Sequence, residues 1–306
     1  MLFRSGRGPT MLVCAATLTA VALVSGCADD AASADAPTGT SGVRPRSANP
    51  PPLRNSTPRS PLDASTAPAR LAASFAALQV GSDVGVALAP VGGGRVITLG
   101  DQTPRVAWST IKVPLSLAAQ RSNGTNATER TTINNAIINS DNDSALALRK
   151  SLGTPEQARK KVTAVLRDGG DTTTQVVEIT DPDEETFGLT VWPLAGAARF
   201  ASNFPCLPDT GHILHLMSQV AENQQWGLKV IGPPTTVAVK GGWGPGNEGG
   251  YEVRQLGVLS FADGQGTAVA MSTDAGNPMD SGTATLNKVS KWLYQHRTEL
   301  PRGTCH

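Results

Sequence analysis

Ser109 and Lys112 stand three positions apart, a serine hydroxyl and an amine at a spacing that supports covalent chemistry. On a helix, residues three apart share a face with Cβ atoms roughly 5–6 Å from each other, so the Lys112 amine can reach the Ser109 hydroxyl. A hydroxyl is a weak nucleophile until a neighbour takes its proton. A lysine that is partly desolvated and near other cations can itself be neutral close to physiological pH, and then serves as that base. Two further short elements follow in order, Ser140-Asp141-Asn142 and Lys240-Gly241-Gly242. They add a second hydroxyl, an amide and a second amine, the groups needed to move a proton and hold a carbonyl. Taken alone, each element reads as something ordinary: a helix cap with a surface lysine, an Asx turn satisfied by Asp141, and a solvated lysine on a sheet edge.

Together and in this order, the three elements resemble the signature of the serine β-lactamase and penicillin-binding-protein family, Ser-x-x-Lys, Ser-Asp-Asn and Lys-Thr/Ser-Gly. The flanks agree: Val106-Ala107-Trp108 precedes the first element, Ala136-Ile137-Ile138-Asn139 leads into the second, and Gly170-Asp171-Thr172-Thr173-Thr174 is similar to a family turn. The resemblance spans about Ala69 to Thr304. It implies that Ser109 is the nucleophile and Lys112 its base. Ser140 then relays a proton to the leaving nitrogen, while Asn142 binds the substrate carbonyl and steadies Lys112. Lys240 attracts a substrate carboxylate and helps to keep Lys112 neutral. The resemblance also puts the oxyanion donors on the backbone N–H groups of Ser109 and Trp243. Gly242 leaves room for substrate along its strand. Arg254, on the next strand, is a candidate carboxylate clamp or a structural ion pair.

Three departures bear on activity. Gly241 stands where the family has a threonine or serine, so a hydroxyl that binds the substrate carboxylate is missing. Ser140 follows Ser109 by only 31 positions, which implies a wider mouth than in class A β-lactamases. Around Val177-Glu178-Ile179-Thr180-Asp181, no Glu is followed four residues later by Asn, the pair that holds the deacylating water. Glu178 is the nearest candidate for that base. The expected activity is a serine hydrolase forming an acyl-enzyme on an amide or ester, β-lactam-like or cell-wall-peptide-like, with slow β-lactam turnover. Alternatives are a D-Ala-D-Ala peptidase-like penicillin-binding protein and a silent binding lipoprotein of the same fold. The substrate partner is a small molecule or peptide.

The elements that must position these groups follow from periodicity. A helix is expected over Leu71–Leu78. Strands at Asp83–Pro90 and Arg95–Leu99 should form an antiparallel hairpin about Gly92-Gly93-Gly94. Six helices follow, over Thr110–Gln120, Thr131–Ile138, Ser144–Leu152, Pro155–Arg167, Trp192–Asn203 and His212–Asn223. Strands resume at Thr236–Lys240, Tyr251–Phe261 and Thr267–Thr273, before a last helix from Thr283 to Gln295. This order predicts an α+β fold, an α/β/α sandwich whose antiparallel sheet draws on both ends of the domain and carries an inserted helical subdomain. The site belongs in the cleft between them.

The rest of the chain speaks to export. Arg4 and Arg7 precede the apolar run Met11–Val24, and Leu23-Val24-Ser25-Gly26-Cys27 resembles a bacterial lipobox. Residues 1–27 are therefore expected to be a lipoprotein signal peptide, with Cys27 the lipidated mature N-terminus on the outer face of the cell membrane. Residues 28–68, rich in Ala, Ser, Thr and Pro, are expected to be a disordered tether to a domain over 69–306. That leaves Cys206 and Cys305 as an even pair, either a disulfide or two thiols. Lys plus Arg number 26 against 25 Asp plus Glu among 306 residues, so no basic field argues for nucleic acid. His212 and His215 have no third ligand beside them, so no metal is expected, nor any cofactor, and the protein is expected to be a monomer.

Overall fold

The computed structural model describes residues 66–306, apart from 82, 125, 184–185, 234, 247–249 and 275–278. The expected signal peptide and Cys27 lie outside the described residues, as does nearly all of the expected tether. Helix α1 (Ala67–Ala77) begins at the tether's predicted end, with a proline in its first turn, where a missing N–H costs nothing. Strands β1 (Gly85–Pro90) and β2 (Ile97–Gly100) pair as the expected antiparallel hairpin. The helical block follows: α2 (Lys112–Asn123), α3 (Ala127–Asn134), α4 (Asn142–Ser151), α5 (Pro155–Asp168), α6 (Leu194–Asn203) and α7 (Gly211–Ser218). Strands β3 (Thr236–Pro245), β4 (Tyr251–Ser260) and β5 (Gly266–Thr273), then α8 (Met279–Gln295), complete the chain.

All pairings are antiparallel and the sheet order is β2-β1-β5-β4-β3, so the strands before the helical block are joined to those after it by β1 against β5. The period-2 alternation of these strands divides two cores. Val86, Leu88, Val269 and Met271 face α1 and α8, where Phe75 meets Trp292 edge-on at 5.2 Å. Ala87, Ala268 and Ala270 face the helical block. Small residues on that face let α6, itself Ala197, Ala198 and Ala201 along the contact, pack close to the sheet. The result is the predicted α/β/α sandwich, with β3 left as the edge strand beside the helical block.

Two boundaries differ from expectation in ways that matter below. β3 runs five residues further, through Gly241-Gly242-Trp243-Gly244 to Pro245, because it is paired with β4 along its whole length. Helix α7 stops at Ser218 rather than Asn223, and the polar run after it turns into a 3-10 turn, Glu222–Gln224. Cys206 and Cys305 form a disulfide that ties the C-terminal tail to the segment after α6.

Candidate active site

Ser109 lies in a 3-10 turn, Trp108–Ile111, that runs directly into α2 at Lys112. In a 3-10 turn side chains at i and i+3 eclipse, so the turn stacks Lys112 over Ser109 more directly than an α-helix would. The backbone N–H of Lys112 donates to Ser109 O. The residue before the nucleophile, Trp108, has φ 44°, an uncommon conformation for a non-glycine residue that marks a constrained turn. Two backbone bonds hold it: Ala107 N donates to Thr190 O at 2.7 Å and Trp108 N to Gly188 O at 2.7 Å. The serine is thus presented on a braced corner.

The second element arrives from the other side. Helix α3 continues into a single π-helical turn, Asn135–Asn139, and Ser140 ends it in the left-handed region at φ 58°. Such bulges recur at functional sites because they re-aim one residue without ending the helix smoothly. Asp141 caps α4, accepting from Ser144 N at 2.7 Å, and these hydrogen bonds hold its carboxyl below the usual range. Its role is the backbone one expected.

Lys112 bridges the two elements. Its Nζ donates to Ser140 O at 2.6 Å and to Asn142 Oδ1 at 2.7 Å, and the residue is 1 % exposed. Burial pushes its amine down to about 8, the negative charge of Asp141 opposing the shift. As a neutral amine, Lys112 has two N–H groups and one lone pair. Both N–H groups are used, so the lone pair is the position left to accept a proton.

Lys240, on β3, closes the group from the sheet. Its Nζ lies 2.8 Å from Ser140 Oγ and donates to Gln224 Oε1 at 2.6 Å and to Gly241 O at 2.9 Å. It is fully buried, which lowers its proton affinity strongly, with the charge of Lys112 adding to the effect. The expectation that Lys240 meets a substrate carboxylate is corrected here, because every position on its nitrogen is already occupied. Gln224 is a residue the motifs did not point to. Its Oε1 also accepts from Gly241 N at 2.9 Å, and its Nε2 donates to Ile137 O and Ile138 O at 3.1 and 2.9 Å. One buried amide therefore connects the edge strand to the π-helical turn.

Gly242 sits in a tight place: a Cβ there would lie 3.0 Å from Ser109 N, Ala107 O and Trp108 Cβ, so a side chain would press on the nucleophile's backbone. This close approach puts β3 against the nucleophile, and Trp243 lines the same cavity as Ser109. Gly241 has a different cause. A Cβ on it would sit 2.8 Å from Trp226 Cζ2 and 3.2 Å from Cη2, so the indole fills the place of the missing side chain.

Arg254 is corrected as a substrate clamp. It is 2 % exposed, and its guanidinium donates to Arg105 O, Val106 O and Trp192 O at 3.2, 2.6 and 3.1 Å. It staples the nucleophile's approach to the Thr186–Trp192 segment from beneath. Beside it, Glu252 is buried without a hydrogen bond to Oε1, and burial pushes its carboxyl up to about 7 against the pull of Arg254 and Arg105. Glu178 is also corrected: its carboxylate is 82 % exposed, lies 3.5 Å from Arg159, and is not among the residues lining the cavity. The cavity, about 430 Å³, is walled by Trp108, Ser109, Ser140, Asn142, Asp143, Leu146, Thr186, Gly188, Leu189 and Trp243. No cluster of three metal-ligating side chains occurs among the described residues.

The fold is similar to that of serine β-lactamases and of a penicillin-binding protein. Among solved structures, the chain is similar to the TLA-1 extended-spectrum β-lactamase (TM-score 0.62, 14 % identity, 74 % of this chain and 98 % of that one). It is also similar to a β-lactamase from Burkholderia vietnamiensis (TM-score 0.59, 18 %, 76 % and 97 %) and to PBP-A (TM-score 0.58, 17 %, 76 % and 97 %). No protein-family model and no curated protein sequence matches the chain.

Proposed function

We propose that the protein is a serine hydrolase that forms an acyl-enzyme at Ser109 on a carboxylic ester or amide. The observation that carries this reading is the convergence of Lys112 and Lys240 on Ser140, in the wall of the cavity that exposes Ser109. In the acylation step Ser109 Oγ bonds to the acyl carbon while its proton passes to the Lys112 lone pair. The backbone N–H groups of Ser109 and Trp243 receive the developing oxyanion. The bond to the leaving atom then breaks, that atom takes the proton of the Ser140 hydroxyl, which Lys240 holds in place, and the proton gained by Lys112 passes to Ser140 Oγ so that both return to their starting states. Water later cleaves the ester on Ser109 and releases the acid.

With Glu178 turned to Arg159, no carboxylate among the described residues of its loop lines the cavity to activate that water. This favours a long-lived acyl-enzyme, the behaviour of a penicillin-binding protein more than of a fast β-lactamase. A fluorophosphonate probe tests the nucleophile: wild type should be labelled and Ser109→Ala should not, and equal labelling refutes the assignment. The protein is further proposed to act as a monomer at the cell envelope, held by acylated Cys27. Metabolic labelling with an alkynyl fatty acid should then mark wild type and spare Cys27→Ala, and a signal equal in both sinks the anchor.

A further inference from the structure

The wall of the Ser109 cavity bears on the charge of what binds there. A full negative charge on a bound substrate is best balanced by a cation facing it, since an unpaired buried charge is costly. No Lys or Arg lines the cavity. Both lysines behind it are saturated. If Lys240 is an ammonium, its three N–H groups go to Ser140 Oγ, Gln224 Oε1 and Gly241 O; if it is neutral, its lone pair takes the Ser140 O–H and the other two bonds stand. Neither state leaves an N–H for substrate. Lys112 has its two donors committed and its remaining position is needed for the Ser109 proton. Arg254 is spent on three carbonyls, and position 241 offers no hydroxyl because Trp226 holds that space. The undescribed positions between 66 and 306 are Ser, Thr, Glu, Pro, Asn, Gly and Ala, none of them cationic.

Besides the uncharged polar side chains of Ser109, Ser140, Asn142 and Thr186, the wall presents apolar groups and one carboxylate. Trp108, Leu146 and Trp243 line it, and Leu189, 52 % exposed, stands at its rim. Asp143 is a lining carboxylate in the first turn of α4, where with the Asp141 cap it answers the partial positive charge of the helix end. We infer that the substrate of this site is an uncharged acyl donor with an apolar acyl group, a neutral carboxylic ester, and that the site discriminates against donors carrying a carboxylate. The inference rests on the reading of Ser109 as nucleophile.

The test uses the purified full-length protein with three nitrophenyl esters: p-nitrophenyl butyrate, mono-p-nitrophenyl succinate with a carboxylate on the acyl side, and 3-carboxy-4-nitrophenyl butyrate with one on the leaving side. Release of nitrophenolate gives kcat/KM for each, divided by its rate with hydroxide. The neutral ester should exceed each charged one at least tenfold, and Asp143→Lys should shrink both gaps. A gap of threefold or less, or gaps unmoved by Asp143→Lys, overturns the inference. Ser109→Ala separates the two levels: release equal in wild type and Ser109→Ala refutes the nucleophile itself, whereas Ser109-dependent release without the gap leaves the nucleophile standing and removes only the substrate class.

Discussion

Placing a threonine at position 241 restores the residue type that the family signature carries there, and the structure says this protein will resist it. The new Cβ would stand 2.8 and 3.2 Å from two carbons of the Trp226 ring and 3.4 Å from Trp243 Cζ3. Relaxed carbon contacts lie near 3.5–4.0 Å. The ring must therefore withdraw by several tenths of an ångström, yet its Nε1 donates to Asn223 O at 2.9 Å and its face meets Trp243 edge-on at 6.3 Å. Overpacking of this kind costs about 1–3 kcal/mol. Replacing a strand glycine by a β-branched residue returns up to about 1 kcal/mol. Taking about 2 kcal/mol for the overpacking against about 0.5 kcal/mol returned, the steric cost wins by about 1.5 kcal/mol, or a Tm lower by about 3–6 °C in a domain of this size. Trp226→Ala is destabilising alone, by about 3–5 kcal/mol, through the cavity it leaves. In the double variant the threonine enters that cavity, so the two effects should couple by about 2 kcal/mol. Differential scanning calorimetry of the four proteins measures this directly. An unchanged Tm in Gly241→Thr, or a coupling below about 0.5 kcal/mol, refutes the claim that Trp226 occupies the side-chain space of residue 241.

Because Lys112 must be neutral to accept a proton and its pKa is lowered to about 8, Ser109 labelling by fluorophosphonate should slow about tenfold per pH unit below that value and level off above it; a flat profile from pH 6 to 9 rules Lys112 out as the base. Glu252 has a folded pKa of about 7, above its unfolded value, so its ionisation opposes folding as pH rises through that interval. Glu252→Gln should match wild type at pH 4 and exceed it above pH 7 by up to about 3 kcal/mol in urea unfolding, and a difference independent of pH contradicts the assignment. Cys206 and Cys305 are 99 positions apart and the bond closes that loop, so Cys206→Ser with Cys305→Ser should lower stability by about 2–4 kcal/mol in the same assay, against no change if the tail contributes nothing.

Much of this site was legible from three short motifs read in order through their family resemblance. Ser109, Lys112, Ser140, Asn142 and Lys240 are tied to short motifs whose backbone settings are local, a 3-10 turn, a left-handed residue and a capped helix start. The strand and helix pattern also carried the sheet and its inserted block, because apolar periodicity reflects which face is buried. What stayed hidden was set by tertiary contact. The run Ala221-Glu222-Asn223-Gln224-Gln225 has no periodicity, and only the nearness of Lys240 and the π-helical turn makes Gln224 a buried residue. Gly241-Gly242-Trp243-Gly244 has weak strand propensity, yet pairing with β4 holds it extended. The sequence offers Arg254 as a clamp or a structural ion pair and Glu178 as a candidate base; three carbonyls and Glu252 around the one and Arg159 beside the other decide their orientation.

Gln224 acts as a tie-rod. Its two ends grip opposite walls of the cleft, one through the edge strand that carries Lys240 and the other through carbonyls of the turn that carries Ser140. Prising the mouth wider, by heat or by a bulky wedge, has to snap those links first, and the same rupture unseats the proton wiring. In this protein, gaping and disarming are one mechanical event.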